Sequence, residues 1–302
     1  MFIYRKFFTL KKIKAYLKNK MQAQKIKISL IQSPHFIDKQ VTLLNLEKLI
    51  TEAAENKAKY VFLGECFNSL YRKDALHANS EDFSSHTSPT ISLLRKLSKS
   101  LEIFVLGSLP ELDPLTQNHY NTAVCFNPSG ELIAKHRKLH LFDIDIPGKI
   151  TSKESETFQS GSQITVFEAG PVKIGMAICY DLRFPELSLI MTKKGAQILF
   201  FPAAFNQTTG PLHWDLLLRS RALDNQVYVV GVSPARFQED PTYYQAWGHS
   251  GVADPMGKIM VSCEQEVTIL YQEVDLEYIE QVRTQLPYQK QKRLDLYKVE
   301  EL

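Results

Sequence analysis

Hydrophobic and polar positions change period repeatedly from Lys25 onward, and this alternation predicts a mixed α/β protein. Alternating or continuous apolar runs predict the first strands, at 26–31, 60–63 and 103–109. Helices are predicted between and after them, at 38–55 and 88–100. The first helix is expected to begin at the N-cap Asp38 and to use the apolar positions Val41, Leu44, Leu49 and Ala53.

The rest of the chain continues the same pattern. Further strands are predicted at 122–127, 132–137, 164–168, 172–178, 197–201, 227–233, 251–254, 258–263 and 268–274, with helices at 185–194, 213–225 and 276–283. Helices that follow buried strands are typical of βαβ units, whereas short Gly and Pro turns indicate antiparallel hairpins. The pattern therefore predicts two mixed sheets packed together with helices outside, in one domain over residues 25–302.

Three residues with reactive or charged side chains follow apolar strands: Glu65, Lys138 and Cys179. Strand ends converge at one edge of a sheet, so these side chains are able to meet there. Cys179 stands where a buried strand turns into a helix, as a nucleophile does, and Glu65 and Lys138 could supply its base and a cation. Each also has a structural interpretation, since a lone cysteine is usually core and charged strand ends usually face solvent.

Composition narrows the class of protein. The formal charge of +3 comes with no dense basic face set with aromatic residues, so the sequence does not indicate nucleic-acid binding. The four cysteines form no CxxC pair, and the histidines lack metal-ligand spacing, so neither a disulfide scaffold nor a zinc site is predicted. No apolar run reaches about 18 residues, which argues against a membrane-spanning helix.

Residues 1–24 form a basic segment with no acidic residue. Its basic and apolar residues resemble a mitochondrial presequence, although it has no Ser and only one Arg. The alternative is an extension ahead of a natural start at Met21. The predicted location is therefore the cytoplasm, with the mitochondrion as the alternative that this segment would provide.

Three motifs, in order, resemble those of the nitrilase superfamily: GECF around Glu65, HRKLHLF around Lys138 and CYDLRFPEL at Cys179. Further similarity lies in WGHSGVADPMGKI and KRLDLY, and the resemblance covers essentially residues 25–302. It implies a four-layer α-β-β-α sandwich, hydrolysis of a carbon-nitrogen bond through a thioester, and no cofactor.

The resemblance also assigns roles to residues. Cys179 would attack the amide carbonyl, Glu65 would be the general base, and Lys138 with the backbone NH of Tyr180 would hold the oxyanion. A second glutamate is expected from a loop after the lysine. Glu154 is its best match, with Glu156 as a competitor two residues on.

Within the superfamily, FDIDIPGKI, RALDNQVYV and AWGHS are most similar to the omega-amidases, which hydrolyse the side-chain amides of 2-oxoglutaramate and 2-oxosuccinamate. This similarity implies that Arg183 binds the substrate carboxylate and that Phe205 and Thr209 contact the substrate. The alternative for Arg183 is a structural ion pair with Glu186 or Asp181. Asp181 itself is expected to fix the turn after Cys179 by accepting backbone NH groups.

Other functions remain open at this point. A deaminated-glutathione amidase would use the same chemistry on a bulkier substrate, and a non-catalytic scaffold would use none of it. Nitrile hydrolysis is disfavoured by the resemblance. The expected partners are a small 2-oxo acid amide as substrate and a second copy of the chain in a homodimer, with no nucleic acid and no membrane.

Overall fold

A computed structural model describes residues 25–85, 87–237, 240 and 242–302. The predicted N-terminal extension at 1–24 lies outside the described residues. From residue 25 the chain forms two large six-stranded sheets and a small two-stranded one.

The first sheet is built mainly by the first half of the chain. Its first strands are β1 (Lys25–Gln32), β2 (Tyr60–Leu63), β3 (Phe104–Leu112), β4 (His119–Phe126) and β5 (Leu132–Arg137). Strands β1 to β3 run parallel, β4 and β5 continue antiparallel, and a strand from the C-terminal part pairs antiparallel with β1. The predicted mixture of βαβ units and hairpins is thus confirmed in this sheet.

Two helices cover one face of this sheet: α1 (Lys39–Glu55) and, after the short α2 (Lys73–Ala78), α3 (Pro89–Leu101). Asp38 caps α1 as predicted, since its side chain accepts a hydrogen bond from the Gln40 backbone NH at 2.6 Å. The predicted apolar face was partly wrong, because Val41 and Leu44 are 45% and 68% exposed. The buried positions of α1 are Thr42, Leu46, Leu49, Ile50 and Ala53.

A hairpin that the sequence pattern did not predict follows β5. It consists of β6 (Asp143–Ile146) and β7 (Ile150–Lys153) and leads into a 3-10 turn, Glu154–Glu156. Both strands have only four residues, which alternate half-buried and exposed positions, and this length is at the lower limit for recognising a strand from alternation.

The second sheet has the order β13-β12-β11-β10-β9-β8. Its elements, with the helices between them, are β8 (Thr165–Ala169), β9 (Val172–Met176), α4 (Pro185–Lys193), β10 (Ile198–Pro202), α5 (Gly210–Asn225), β11 (Tyr228–Val232), β12 (Gly251–Ala253) and β13 (Ile259–Ser262). Strands β9 to β11 are parallel and the outer ones antiparallel. The chain then forms β14 (Thr268–Asp275), which completes the first sheet, and the helices α6 (Leu276–Gln285) and α7 (Tyr288–Gln291).

The two sheets pack face to face with helices on the outer faces. Along β2, Val61 and Leu63 belong to the core under α1 and α3, while Tyr60 and Phe62 face the second sheet. The rings of Phe62 and Phe200, on β10, lie 4.8 Å apart between the sheets. Alternate side chains of one strand thus enter two different cores, as the pleat requires. The predicted α-β-β-α sandwich is confirmed.

Close packing of α5 on the second sheet depends on Gly231. A Cβ built at this position of β11 would lie 2.7 Å from Leu218 and 2.8 Å from Trp214 of α5. Any side chain would push the helix away from the strand. The glycine therefore keeps α5, which begins beside the site, close to the ends of β10 and β11.

Candidate active site

Glu65 is completely buried just after β2, held by donors from both sheets. Its Oε1 accepts hydrogen bonds from Asn121 Nδ2 at 2.8 Å and from Lys138 Nζ at 3.1 Å. Its Oε2 accepts from the backbone NH of Ala204, which follows β10, at 2.7 Å. The carboxylate is therefore fixed in orientation, because both oxygens are engaged.

Lys138 follows β5 and is likewise completely buried. Its ammonium lies 3.1 Å from Glu65 and 2.8 Å from Glu154. Burial alone would lower the pKa of Lys138, but the charges of Glu154 and Glu65 outweigh it and raise that pKa well above the usual value. The lysine is therefore a fixed cation, and it has no role as a base.

Glu154 begins the 3-10 turn after β7 and is buried, as the second glutamate was expected to be. Besides Lys138, it accepts a hydrogen bond from the backbone NH of Phe142 at 2.7 Å. Burial raises the pKa of its carboxyl group, although Lys138 opposes this shift. Glu156 is exposed and contacts only Lys153, at 3.9 Å, so the structure brings Glu154 and not Glu156 to the lysine.

Cys179 lies three residues after Met176, the last residue of β9, and begins a 3-10 turn, Cys179–Arg183. Its backbone φ is +46°, a left-handed conformation that costs a non-glycine residue about 1–3 kcal/mol. This elbow turns the side chain out of the strand direction and into a cavity that Cys179 lines. The predicted strand-to-helix elbow is confirmed.

The thiol of Cys179 needs a base. Burial, followed by the negative charge of Glu65, raises its pKa well above the usual value, while Lys138 acts in the opposite direction. The resting side chain is therefore a neutral thiol at neutral pH. A carboxylate beside it, held in place by a lysine, can take the proton as the sulfur attacks an electrophilic carbon.

Asp181 fixes the elbow, as predicted. Its carboxylate accepts from the backbone NH of Ile178 at 2.9 Å. It also accepts from the backbone NH of His140 at 2.9 Å and from His140 Nδ1 at 2.7 Å, contacts that the sequence did not indicate. Burial would raise the pKa of Asp181, but His136, whose Nε2 lies 3.6 Å away, and the hydrogen-bonded His140 hold it well below its usual range. One carboxylate thus ties the segment after Lys138 to the residue before Cys179.

Cys179 opens onto a cavity of about 230 Å³. The expected substrate-contacting residues all line it: Tyr180, Arg183, Phe205 and Thr209. Other lining residues come from the unpredicted hairpin β6–β7, including Ile150 and Lys153. The space suits a short molecule, because drug-sized ligands occupy cavities of about 300–1,000 Å³.

Arg183 stands in this cavity without an acidic partner. Its guanidinium lies 4.9 Å from the ring centre of Phe205 and 5.7 Å from that of Tyr180, and it donates to His213 Nδ1 at 3.1 Å. Within the described part of the chain it forms no ion pair, so the alternative of a pair with Glu186 or Asp181 is wrong. A guanidinium without an acidic partner in a cavity can bind a carboxylate, and this role for Arg183 stays a prediction.

The cavity that Arg183 lines is also lined by Phe205, Thr209 and Tyr180. Each of these three side chains contacts a further residue of the protein. Phe205 is 5% exposed, and its ring lies 5.1 Å from that of Trp214. Thr209 is buried at the start of α5, where its hydroxyl donates to Asn206 Oδ1 at 3.2 Å. The Tyr180 ring meets Phe142 edge-on at 5.1 Å. Their predicted position at the cavity is thus observed, and their contacts with substrate stay predictions.

Several site residues escaped the sequence analysis. Asn121 lies within β4 and carries no motif signal, and the backbone NH of Ala204 cannot be seen in a sequence at all. Tyr71, whose hydroxyl reaches both carboxylates, lies six residues after Glu65 in the same polar stretch. Its distance from the strand end concealed it.

Neither a metal centre nor a membrane span emerges from the described residues. Across the parts of the chain that the structure describes, no three His, Cys, Asp or Glu side chains gather as metal ligands would. None of the described helices combines the length and apolarity needed to cross a membrane.

The sandwich and the buried Glu-Lys-Cys arrangement define a hydrolase of carbon-nitrogen bonds. A family model described as carbon-nitrogen hydrolase matches residues 27–284, and the chain belongs to this family, within the nitrilase superfamily. The matched span includes all the catalytic and cavity residues expected from the sequence.

Relatives of known kind agree with this class. Omega-amidase NIT2 of Xenopus tropicalis is 45% identical over 281 residues, which are 92% of this chain and 98% of the relative. The chloroplastic omega-amidase of Arabidopsis thaliana is 45% identical over 278 residues, 91% of this chain and 74% of the relative. The crystal structure of Nit3 from Saccharomyces cerevisiae, 43% identical, matches with a TM-score of 0.82 over 89% of this chain and 97% of that chain.

Proposed function

We propose that the protein is an omega-amidase that converts 2-oxoglutaramate and 2-oxosuccinamate to the 2-oxo dicarboxylates and ammonia. The observation that carries this proposal is Arg183, a guanidinium without an acidic partner among the described residues, in the cavity onto which Cys179 opens. Such a cation can hold the carboxylate of the substrate while its amide reaches the thiol.

The charges around the cavity favour a small anion. Its cationic lining residues are Arg72, Lys73, Lys153 and Arg183, whereas Glu154 is its one acidic lining residue among those described. Glu154 is already paired with Lys138. Arg72 and Lys153 likewise have acidic partners, Asp74 and Glu156, so the positive charge that a substrate carboxylate meets comes mainly from Lys73 and Arg183. This charge raises its local concentration and its rate of entry.

The first half of the reaction forms a thioester. The Cys179 thiol proton passes to Glu65 while the sulfur bonds to the amide carbon, and the negative charge moves to the carbonyl oxygen. Lys138 and the backbone NH of Tyr180 stabilise this oxyanion. When the carbon-nitrogen bond breaks, the leaving nitrogen takes the proton back from Glu65 and departs as ammonia.

Water completes the cycle. Glu65, again ionised, takes a proton from a water molecule whose oxygen attacks the thioester carbon. Collapse of the second oxyanion breaks the carbon-sulfur bond, and the sulfur recovers its proton from Glu65. Glu154 contributes by fixing the ammonium of Lys138 between two carboxylates, so that the cation does not move during either half-reaction.

The test of this function is a substrate panel with ammonia as the readout. Turnover of 2-oxoglutaramate and 2-oxosuccinamate is expected to exceed that of deaminated glutathione at equal concentration, because the cavity of about 230 Å³ favours the shorter amides. Faster turnover of deaminated glutathione or of a nitrile would reassign the substrate. Absence of any acyl-enzyme at Cys179 by mass spectrometry would indicate a scaffold instead.

Replacement of Arg183 by methionine is expected to raise KM for 2-oxoglutaramate by about 10–100-fold with a smaller change in kcat. The reason is that a hydrogen bond between charged groups contributes about 1.5–3 kcal/mol. Steady-state kinetics measure the effect. A neutral amide of similar length serves as control and should be hydrolysed equally by both proteins. Equal KM values for 2-oxoglutaramate would show that Arg183 does not bind the carboxylate.

We further propose a homodimer in the cytoplasm. The basic segment 1–24 provides a mitochondrial alternative, and the chloroplastic relative makes an organellar form of this enzyme class plausible in other organisms. Light scattering on the purified chain measures its mass, and a mass of one chain would refute the dimer. Imaging of the full chain beside one starting at Met21 decides between the two locations.

A further inference from the structure

Tyr71 reaches the centre of the site from the segment between β2 and α2. Its hydroxyl oxygen lies 3.3 Å from Glu65 Oε1 and 3.4 Å from Glu154 Oε1. Its ring packs on that of Tyr244 at 4.9 Å, and both tyrosines line the cavity. Nothing in the mechanism above uses this hydroxyl.

The number of hydrogens limits what the hydroxyl can do. A phenol has one O–H, so it donates to one carboxylate at a time. Lys138 already contacts the same two carboxylates with its ammonium. Tyr71 and Lys138 therefore bridge Glu65 and Glu154 twice, once with a fixed cation and once with a single hydrogen that has two acceptors to choose between.

The two oxygens of Glu65 have different surroundings. Oε1 receives Asn121, Lys138 and Tyr71, whereas Oε2 receives the backbone NH of Ala204. Ala204 and Cys179 both line the cavity. Oε2 is thus held by a residue that shares the cavity with the sulfur. A proton leaving the thiol arrives there, because Oε1 is crowded with donors.

We propose that Tyr71 is a positioning residue that holds Oε1 of Glu65 and directs the thiol proton to Oε2. Its hydroxyl donates to Glu65 Oε1 while that carboxylate is charged, and turns to Glu154 Oε1 once Glu65 has taken the proton. The hydrogen stays on the tyrosine oxygen throughout. The inference rests on the proposed function to the extent that it takes Glu65 as the general base.

The expected pH effect arises because Tyr71→Phe removes a hydrogen-bond donor to the charged carboxylate of Glu65. Such a loss raises the pKa of a carboxyl group, so the acid limb of any process that needs ionised Glu65 moves to higher pH. The other titratable groups that face Glu65 are Cys66, Lys138, Glu154, Cys179 and Tyr244, and of these Glu154 also contacts the Tyr71 hydroxyl. Burial and the nearby carboxylates raise the pKa of the Tyr71 phenol well above its usual value, so it remains protonated throughout.

The experiment measures the rate at which iodoacetamide alkylates Cys179 between pH 4 and 9 in the full chain, with peptide mass spectrometry to separate the four cysteines. In Tyr71→Phe the acid midpoint is expected to rise by roughly half to one pH unit. Tyr60→Phe is the matched control, because Tyr60 is buried outside the cavity and its hydroxyl donates to the Ala169 carbonyl and to neither carboxylate. Its midpoint should stay at the wild-type value.

Two results would overturn the proposal: coincident midpoints for Tyr71→Phe and wild type, or an equal shift in both tyrosine variants. If Tyr71→Phe does not fold, 3-fluorotyrosine in place of Tyr71 offers a stronger donor and should lower the midpoint, and an unmoved or higher midpoint would refute the idea.

Alkylation requires no amide turnover, so a wrong substrate assignment leaves this test valid. Glu65→Gln should remove the acid limb, and persistence of that limb would refute Glu65 as the base instead.

Discussion

Cys179→Ala is expected to lower ammonia release from 2-oxoglutaramate by at least about 10⁴-fold, since loss of a nucleophile removes the covalent path altogether. Cys179 is the one sulfur that lines the cavity among the described residues. The other catalytic groups would remain, but Glu65 and Lys138 have no atom that forms an acyl bond in its place. Ammonia assays and intact-mass analysis of trapped acyl-enzyme measure the loss.

Cys263→Ala is the control for this experiment. Cys263 is half-buried and directly follows β13. Its thiol lies 3.7 Å from the Ser250 carbonyl oxygen, and it does not line the cavity. Its replacement should leave kcat and KM unchanged. Unchanged ammonia release in Cys179→Ala would refute the mechanism, whatever the substrate.

Lys138→Met is expected to destabilise the fold by about 3–5 kcal/mol as well as to abolish activity, because it leaves two buried carboxylates without their cation. Without Lys138, nothing would oppose the burial that raises the pKa of Glu154 in the folded protein above its value in the unfolded chain. The destabilisation should therefore be smallest in acid, below the unfolded carboxyl pKa of about 4.3, and should grow as pH rises through the folded pKa.

Denaturant unfolding at pH 5 and pH 8 measures this effect. Lys135→Met, within the strand β5 that Lys138 follows, is the matched control. Lys135 is 42% exposed and contacts Glu111 at 2.8 Å, but Arg137 also holds Glu111, so its loss should cost at most about 1 kcal/mol. A Lys138→Met protein as stable as wild type at pH 8 would show that the two carboxylates do not depend on the lysine.

Much of the fold could be predicted because its central strands are continuous apolar runs. The strand 60–63 and the helix start after Asp38 were located to the residue. The exposed Val41 and Leu44 on α1 show the limit of such patterns. A helix with apolar residues on more than one side does not reveal which side meets a sheet, because that choice depends on the partner.

The site could be predicted where strand ends place reactive residues and not where packing does. Glu65, Lys138 and Cys179 are each one or a few residues past a strand with an apolar run, which the sequence reveals. Tyr71 and Asn121 reach the same carboxylate from a loop and from a strand interior, positions that no periodicity distinguishes. The choice of Glu154 over Glu156 likewise depended on how the hairpin β6–β7 returns to Lys138.

The catalytic groups belong to different sheets: Glu65 and Lys138 follow strands of the first, and Cys179 and Ala204 follow strands of the second. Proton transfer therefore requires the two halves to be docked in register. A partly unfolded state in which either sheet loosens would keep most of its helical circular dichroism while losing turnover. The enzymatic rate therefore reports whether the two sheets are docked correctly. On heating, activity should be lost at a lower temperature than the helical circular dichroism.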